Sequence, residues 1–228
     1  KGYGFQRNLG VKNSAFSLIA FIDADCAAEK DWLRKIVNGI NCYDCLGGSI
    51  KAPPDSSLIG RCVTGLGFPA GGSLGVEIFG NLSTCNSIFR RDVFNKIGLF
   101  NEELIFGGED AELMERVKKN NLKIKLSNEI FVYHKPRSFI DFLGWNFRRG
   151  KAKFYLYRNP GHLFNVLGVF VYPFTKKFRL LFKKRKEVNL SFFSIFTIVI
   201  FLFFLRQLFM SFGWIYGFGQ SIWREKKH

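Results

Sequence analysis

Ser17-Leu18-Ile19-Ala20-Phe21-Ile22-Asp23-Ala24-Asp25 is an uncharged apolar run that ends in two acids one residue apart. An apolar run of this length, bounded by polar residues, reads as a buried strand of an α/β sheet. Ligand sites in such sheets lie beyond the carboxyl ends of the strands, which puts Asp23 and Asp25 at a strand tip. If the extended conformation persists, alternation sends both side chains to one side. Two converging carboxylates repel each other unless a cation or a donor group lies between them. A hard divalent cation such as Mg²⁺ or Mn²⁺, itself holding phosphate oxygens, fits that place. The other reading is an acidic loop in which Asp25 caps a helix over 27–40. This stretch alone does not separate the two.

On the N-terminal side, residues 1–16 read as a turn and then a helix that includes Gln6-Arg7-Asn8. On the other side, the pattern predicts a helix over about 28–40. Residues 41–80 are rich in Gly, Pro and Ser, with a strand at 46–51 and a flexible middle. Five glycines between Gly65 and Gly75 read as loop punctuation, because no strand, glycine-rich loop and helix follow one another there.

A polar-apolar stretch, Gly80 through Arg91, precedes a short helix at 92–97, and Gly98 fits the position that ends it. Gly107-Gly108-Glu109-Asp110 opens a helix over about 110–120 with Leu113, Val117 and Met114 inward. Lys118 and Lys119 in its last turn suit the helix dipole. Glu109 and Asp110 fit a helix N-terminus, where free N–H groups favour carboxylates. Behind a Gly-Gly hinge they also make a general base at a pocket floor. Short strands are expected at 124–126 and 130–134, the second ending in His134, which is either structural or a ligand. A helix over 138–157 carries Arg148-Arg149-Gly150, either a solvated face or a match for diphosphate oxygens.

In this order, the pieces resemble a family-2 glycosyltransferase of the GT-A fold. They are Arg7-Asn8-x-Gly10, Phe21-Ile22-Asp23-Ala24-Asp25, Gly80 through Arg91, and Phe94-x-x-Ile97-Gly98-x-Phe100. Gly108-Glu109-Asp110-x-Glu112-Leu113 with Arg116, and His134, complete the set. The resemblance covers about residues 1–160 and implies an α/β, GT-A-like fold: a Rossmann-like mixed sheet with flanking helices. It implies a nucleotide-sugar donor, a hydroxyl acceptor and a divalent metal, Mn²⁺ or Mg²⁺. Asp25 would be the direct metal ligand, with Asp23 on the metal and the nucleotide sugar, and His134 a further metal or phosphate contact. Arg7 and Asn86 would contact the donor. Asp110 would deprotonate the acceptor hydroxyl, supported by Glu109. Arg148 and Arg149 would clamp the diphosphate, although the family's Gln-x-x-Arg-Trp is not matched. In-line attack opposite the leaving diphosphate would invert the anomeric centre. Such enzymes begin with a strand–helix–strand unit that holds base and ribose, so the chain is expected to be a piece of a longer protein.

Charge divides the chain unevenly. Of the +16 net charge, residues 161–228 hold 11 Lys/Arg against 2 Asp/Glu, together with 14 of the 28 Phe. Basic residues beside Phe-rich runs point to an anionic membrane surface and away from nucleic acid. Residues 188–205 are 18 in a row without charge, the length of a membrane span, and after Arg206 residues 208–223 are 16 more. Lys and Arg at both flanks predict a cytoplasmic hairpin turning between 205 and 213, with a single long helix as the alternative. Five cysteines in irregular spacing argue against a secreted disulfide framework, and no second CxxC or nearby His completes a zinc site at Cys42-x-x-Cys45. The expected domains are a catalytic part at 1–158, a basic interfacial segment at 159–187 and the membrane segment at 188–228. The rival function is a non-catalytic membrane-associated remnant that binds a partner. The presence of Asp23, Asp25, Glu109 and Asp110 together opposes it.

Overall fold

The apolar run forms β1 (Leu18–Ile22), and among the described residues it lies at an edge of a five-stranded sheet rather than inside it. The computed structural model describes residues 2–65, 82–105, 107–136, 138–157 and 190–225, with 179, 182, 183, 185 and 186 between them. Among the described residues β1 pairs only with β4 (Asn86–Arg90), and of its side chains only Ile19 is buried. The uncharged run thus marks a strand, but its burial depends on what lies against it.

The sheet order is β1-β4-β3-β5-β2, with β2 at Cys26–Ala28, β3 at Cys45–Lys51 and β5 at Ile124–His134. β3 and β5 run parallel, and the other pairs are antiparallel. The two strands expected at 124–126 and 130–134 are one strand whose register on β3 jumps between Gly48 and Ser49. Gly48 permits the irregularity. A Cβ there would stand 2.2 Å from the Ile130 carbonyl oxygen and 2.3 Å from Asn86 Nδ2.

Residues 26–28 form β2, so the helix expected over 28–40 begins later, as α2 (Trp32–Ile40). Its apolar residues at i, i+4 and i+8 are the ones it buries: Trp32, Ile36 and Ile40. They pack on Leu46, Ile50, Ile88 and Val132, one face of the sheet. Against the other face stand α1 (Tyr3–Asn13), α4 (Arg91–Ile97) and α5 (Glu109–Lys119), through Val11, Phe94, Leu113 and Val117. Phe21 joins this layer edge-on to Phe89 and Phe100, with ring centroids 5.8 and 5.6 Å apart. α3 (Leu58–Gly65) was not anticipated in the glycine-rich segment, and the expected flexible middle otherwise falls on 66–81, outside the described residues.

α6 (Phe139–Tyr157) matches the helix expected over 138–157. A short turn, Phe192–Ser194, passes through a π-helical turn, Ile195–Val199, into α7 (Ile200–Glu225). The expected hairpin is corrected to one helix. Residues 205–213 hold no proline, and Arg206 stays in the helix with its guanidinium 5.6 Å from the centre of the Phe203 ring. Ile195, Val199 and Leu202 pack on Cys62 and Val63 of α3 and on Phe142 of α6. Farther on, backbones touch: a Cβ on Gly150 would be 1.9 Å from the Met210 oxygen, and one on Gly213 would be 1.9 Å from that of Phe147. Most of the interfacial segment proposed for 159–187 lies outside the described residues.

Candidate active site

At the carboxyl end of β1 the strand stops and the chain turns. The Cys26 amide donates to the Asp23 carbonyl, 2.9 Å away, so the extended conformation does not continue to Asp25. The turn sends the two carboxylates to different partners. Asp23 stands 3.6 Å from an Arg7 guanidinium nitrogen, and Asp25 stands 3.3 Å from His134 Nε2. Asp25 precedes β2 and caps no helix; Asp31 holds the N-cap position of α2.

Arg7 is held in place by its neighbour Asn8. The Asn8 amide donates to the Phe100 carbonyl and to Glu102, and its oxygen accepts the Phe100 N–H, at 2.9, 2.8 and 2.9 Å. This straps α1 to the segment that leads into Gly107 and Gly108, both at positive φ (+97° and +98°). Two left-handed glycines turn the chain sharply into α5, which sets Glu109 under Arg7. Arg7 donates to Glu109 Oε1, so one guanidinium joins the tip of β1 to the start of α5. Glu109 Oε2 is buried and lacks a hydrogen-bond partner among the described residues.

Burial pushes both acids up. The Glu109 carboxyl is raised mainly by desolvation and then by Asp110, against the pull of Arg7. Asp23 is raised mainly by desolvation, with Arg7 opposing and Asp25 adding to the rise. Asp110 lies half-buried beside Glu109, and its Oδ1 accepts the Ala111 N–H at 2.8 Å.

His134 is 2% exposed. Its Nδ1 lies 2.9 Å from the Lys135 carbonyl oxygen, which can only accept, so Nδ1 carries the proton. In the neutral ring Nε2 then turns a lone pair toward the Asp25 carboxylate. Two acceptors at that distance need a proton or a cation beside them. A buried imidazole that donates through one nitrogen to a backbone carbonyl and presents the other outward is oriented as metal-binding histidines are. Asp25 and His134 therefore fit a divalent cation.

Other expected site residues take different places. Asn86 is fully buried and spent inside the protein: it accepts from Trp32 Nε1 at 2.8 Å and donates to the Ser49 and Ile130 carbonyls at 2.7 and 3.2 Å. It pins the β3–β5 irregularity and presents no face to a donor. Arg148 and Arg149 are exposed on α6; Arg149 stacks over Trp145 at 4.7 Å, and among the described residues neither touches the acids. Glu112 and Arg116 form a two-pronged pair, both contacts 2.7 Å, and Arg116 also donates to the Leu99 carbonyl, 2.8 Å away. That pair holds the corner after α4. Asn8, quoted within a motif but given no role, and Cys26, next to Asp25, were missed as contributors, and neither chemistry shows until the chain folds.

Parts of the chain are similar to known proteins. The model of glycosyl transferase family 2 matches residues 1–98, and the model described as the N-terminal domain of galactosyltransferase matches residues 77–136. Residues 1–98 are similar to glycosyl transferase family 2. The glycosyltransferase AglE of Haloferax volcanii is 26% identical over 163 residues, 64% of this chain and 49% of that protein. The chain thus spans about half the length of this curated relative. Among solved structures, S. aureus TarS 1–349 in complex with UDP-GlcNAc is 20% identical at a TM-score of 0.44, covering 66% of this chain and 46% of that one. The mannosyltransferase PcManGT of Pyrobaculum calidifontis, in complex with GDP-Man and Mn²⁺, is 11% identical at a TM-score of 0.48, covering 97% and 55%.

Proposed function

We propose that this chain acts in glycosyl transfer from a nucleotide-sugar donor to a hydroxyl acceptor. The observation that carries the reading is the convergence of Arg7, Asp23, Asp25, Glu109 and His134 at one sheet end within a sequence similar to family 2. Arg7 and Asp23 orient the donor. Asp25 and His134, with Asp23 beside them, hold a divalent cation, Mn²⁺ or Mg²⁺. Such an ion, when bound, offsets the negative charge that grows on a leaving diphosphate. Asp110 takes the acceptor's proton, and Glu109 fixes Arg7 and through it the donor side of the site. Attack from the face opposite the diphosphate inverts the anomeric centre.

The C-terminal part gives the reaction its place. Phe192–Trp223 is a 32-residue helix long and apolar enough to cross a membrane, and 28% of its most apolar window is buried. Phe193, Phe201, Phe212 and Trp223 are among its exposed side chains. The basic residues before it favour the cytoplasmic side. An acceptor linked to lipid suits a site held at that surface, and the reading draws on neither Arg148 nor Arg149.

Titration of UDP-, GDP- and dTDP-sugars against the chain in detergent, with and without Mn²⁺, tests the proposal. Binding that requires the cation and is lost in Asp25→Ala supports it. Binding indifferent to both cation and Asp25 overturns it.

A further inference from the structure

We propose that Cys26 is a third ligand of the Asp25–His134 cation site and gives it a preference for a borderline cation such as Zn²⁺ or Co²⁺ over Mg²⁺. This rests on the reading that Asp25 and His134 hold a cation at all. The arrangement follows from two pieces of backbone. Cys26 and His134 are directly opposed across the β2–β5 pair. The tight turn from Asp23 to Cys26 then delivers Asp25 to the same end. As a result a carboxylate oxygen, the Cys26 sulfur and an imidazole nitrogen all lie within 4.8 Å of one another. The Asp25 oxygen and His134 Nε2, 3.3 Å apart, suit one ion at ordinary bonds of about 2.0–2.2 Å, and the sulfur, within 4.8 Å of both, becomes the third ligand by closing in on it.

Ligand softness decides which ion. Carboxylates alone suit Mg²⁺ and Mn²⁺, whereas imidazole and thiolate shift a site toward zinc and its neighbours. Asp23, the other acid of the pair, faces Arg7 at 3.6 Å, so its charge is met by a guanidinium. His134 has an outer partner as well, since its Nδ1 meets the Lys135 carbonyl oxygen at 2.9 Å. A ligand supported from behind in this way is held in one orientation. His134, almost wholly buried with Nε2 aimed at an acceptor, is the independent sign that a cation belongs here.

Cobalt titration of the full chain in detergent, under a phosphine reductant, reads the thiolate directly. The wild type is expected to show a sulfur-to-cobalt charge-transfer absorption that Cys26→Ser abolishes and Cys42→Ser leaves intact. Zn²⁺ affinity is expected to fall by at least about tenfold in Cys26→Ser. A second measurement needs no variant: Zn²⁺ should protect Cys26 of the wild type from alkylation, mapped by mass spectrometry. Cobalt bound without the charge-transfer band overturns the proposal, as does alkylation of Cys26 at an unchanged rate. If Mn²⁺ supports donor binding equally in wild type and Cys26→Ser while cobalt shows no band, this inference fails and the glycosyltransferase reading stands. If no divalent cation binds, both fail.

Discussion

Arg7 and Glu109, 102 positions apart in the chain, form an ion pair in which the carboxylate side chain is 4% exposed and the guanidinium 16%. The pair is the joint between α1 and α5, and Asp23 shares its cation. Removing one member of a buried pair strands the other without solvent. Arg7→Ala is expected to lower stability by about 3 kcal/mol and to abolish donor binding. The double variant Arg7→Ala/Glu109→Gln separates the two effects. Its melting temperature should return most of the way to wild type while donor binding stays lost. A double variant no more stable than Arg7→Ala would show that the pair is not what holds α1.

Acidity offers a second check on Glu109. Its carboxyl is raised above the usual 4.5 in the folded chain. The folded state therefore holds the proton to higher pH than the unfolded state does. That contribution is complete below 4.5 and is lost as pH rises through the raised folded value. Asp23 shifts in the same direction from 3.8. Wild type should thus lose stability relative to Glu109→Gln as pH climbs from 4 toward neutrality, with the difference levelling once Glu109 is ionised. Melting curves of both proteins across that range measure it. Parallel curves would mean that Arg7 fully balances burial.

Asp110 is expected to separate binding from chemistry. Asp110→Asn keeps an acceptor for the Ala111 N–H but cannot take a proton. Loss of a general base typically costs 10²–10⁴-fold in rate, and the donor affinity should hold. Turnover at saturating donor, compared with donor titration, checks this. Weakened donor binding without a fall in turnover would assign Asp110 to the donor side.

How far the sequence could be read is clearest at its two acid pairs. An apolar run ending in Asp23-Ala24-Asp25 is legible as a strand tip because periodicity and charge are local properties. Gly107-Gly108-Glu109 is legible as a hinge and helix start for the same reason. The split of Asp23 to Arg7 and Asp25 to His134 was not legible, since it depends on a turn and on strands more than a hundred residues apart. The partners of Asn8 and Asn86 were hidden in the same way, since they lie up to 94 and up to 54 positions away. The single helix through Arg206 could be missed because a charge breaks an apolar run on paper, while a ring beside it takes up the guanidinium in space.

Asn86 carries a prediction of its own. Asn86→Leu leaves the Ser49 and Ile130 carbonyls and the Trp32 N–H without partners in a fully buried place. Each stranded polar group costs about 1–3 kcal/mol, so a loss of at least about 3 kcal/mol is expected. Denaturant unfolding measures it. A loss below about 1 kcal/mol would mean that water replaces the amide, and would reopen Asn86 as a residue that small ligands reach.

The contact between α6 and α7 sets the last test, because it joins the apolar helix to the element that follows His134. At Gly213 an added Cβ meets the Phe147 carbonyl at 1.9 Å, and at Gly150 it meets that of Met210 at 1.9 Å. Backbone oxygens cannot swing aside as side chains do, so Gly213→Val must part the helices. At Gly217 the nearest atoms belong to the Phe154 side chain, the first at 3.1 Å, and nothing lies within 4 Å of a Cβ added at Gly219. Glycine to alanine in a helix otherwise stabilises by about 0.5–1 kcal/mol. The expected order is therefore a large loss at Gly213→Val, a small change at Gly217→Ala and a slight gain at Gly219→Ala. Hydrogen exchange over α6 should rise only in the first. If Gly213→Val leaves α6 exchange and melting unchanged, the two helices are not locked together, and the apolar helix is free to sit in a bilayer independently of the site.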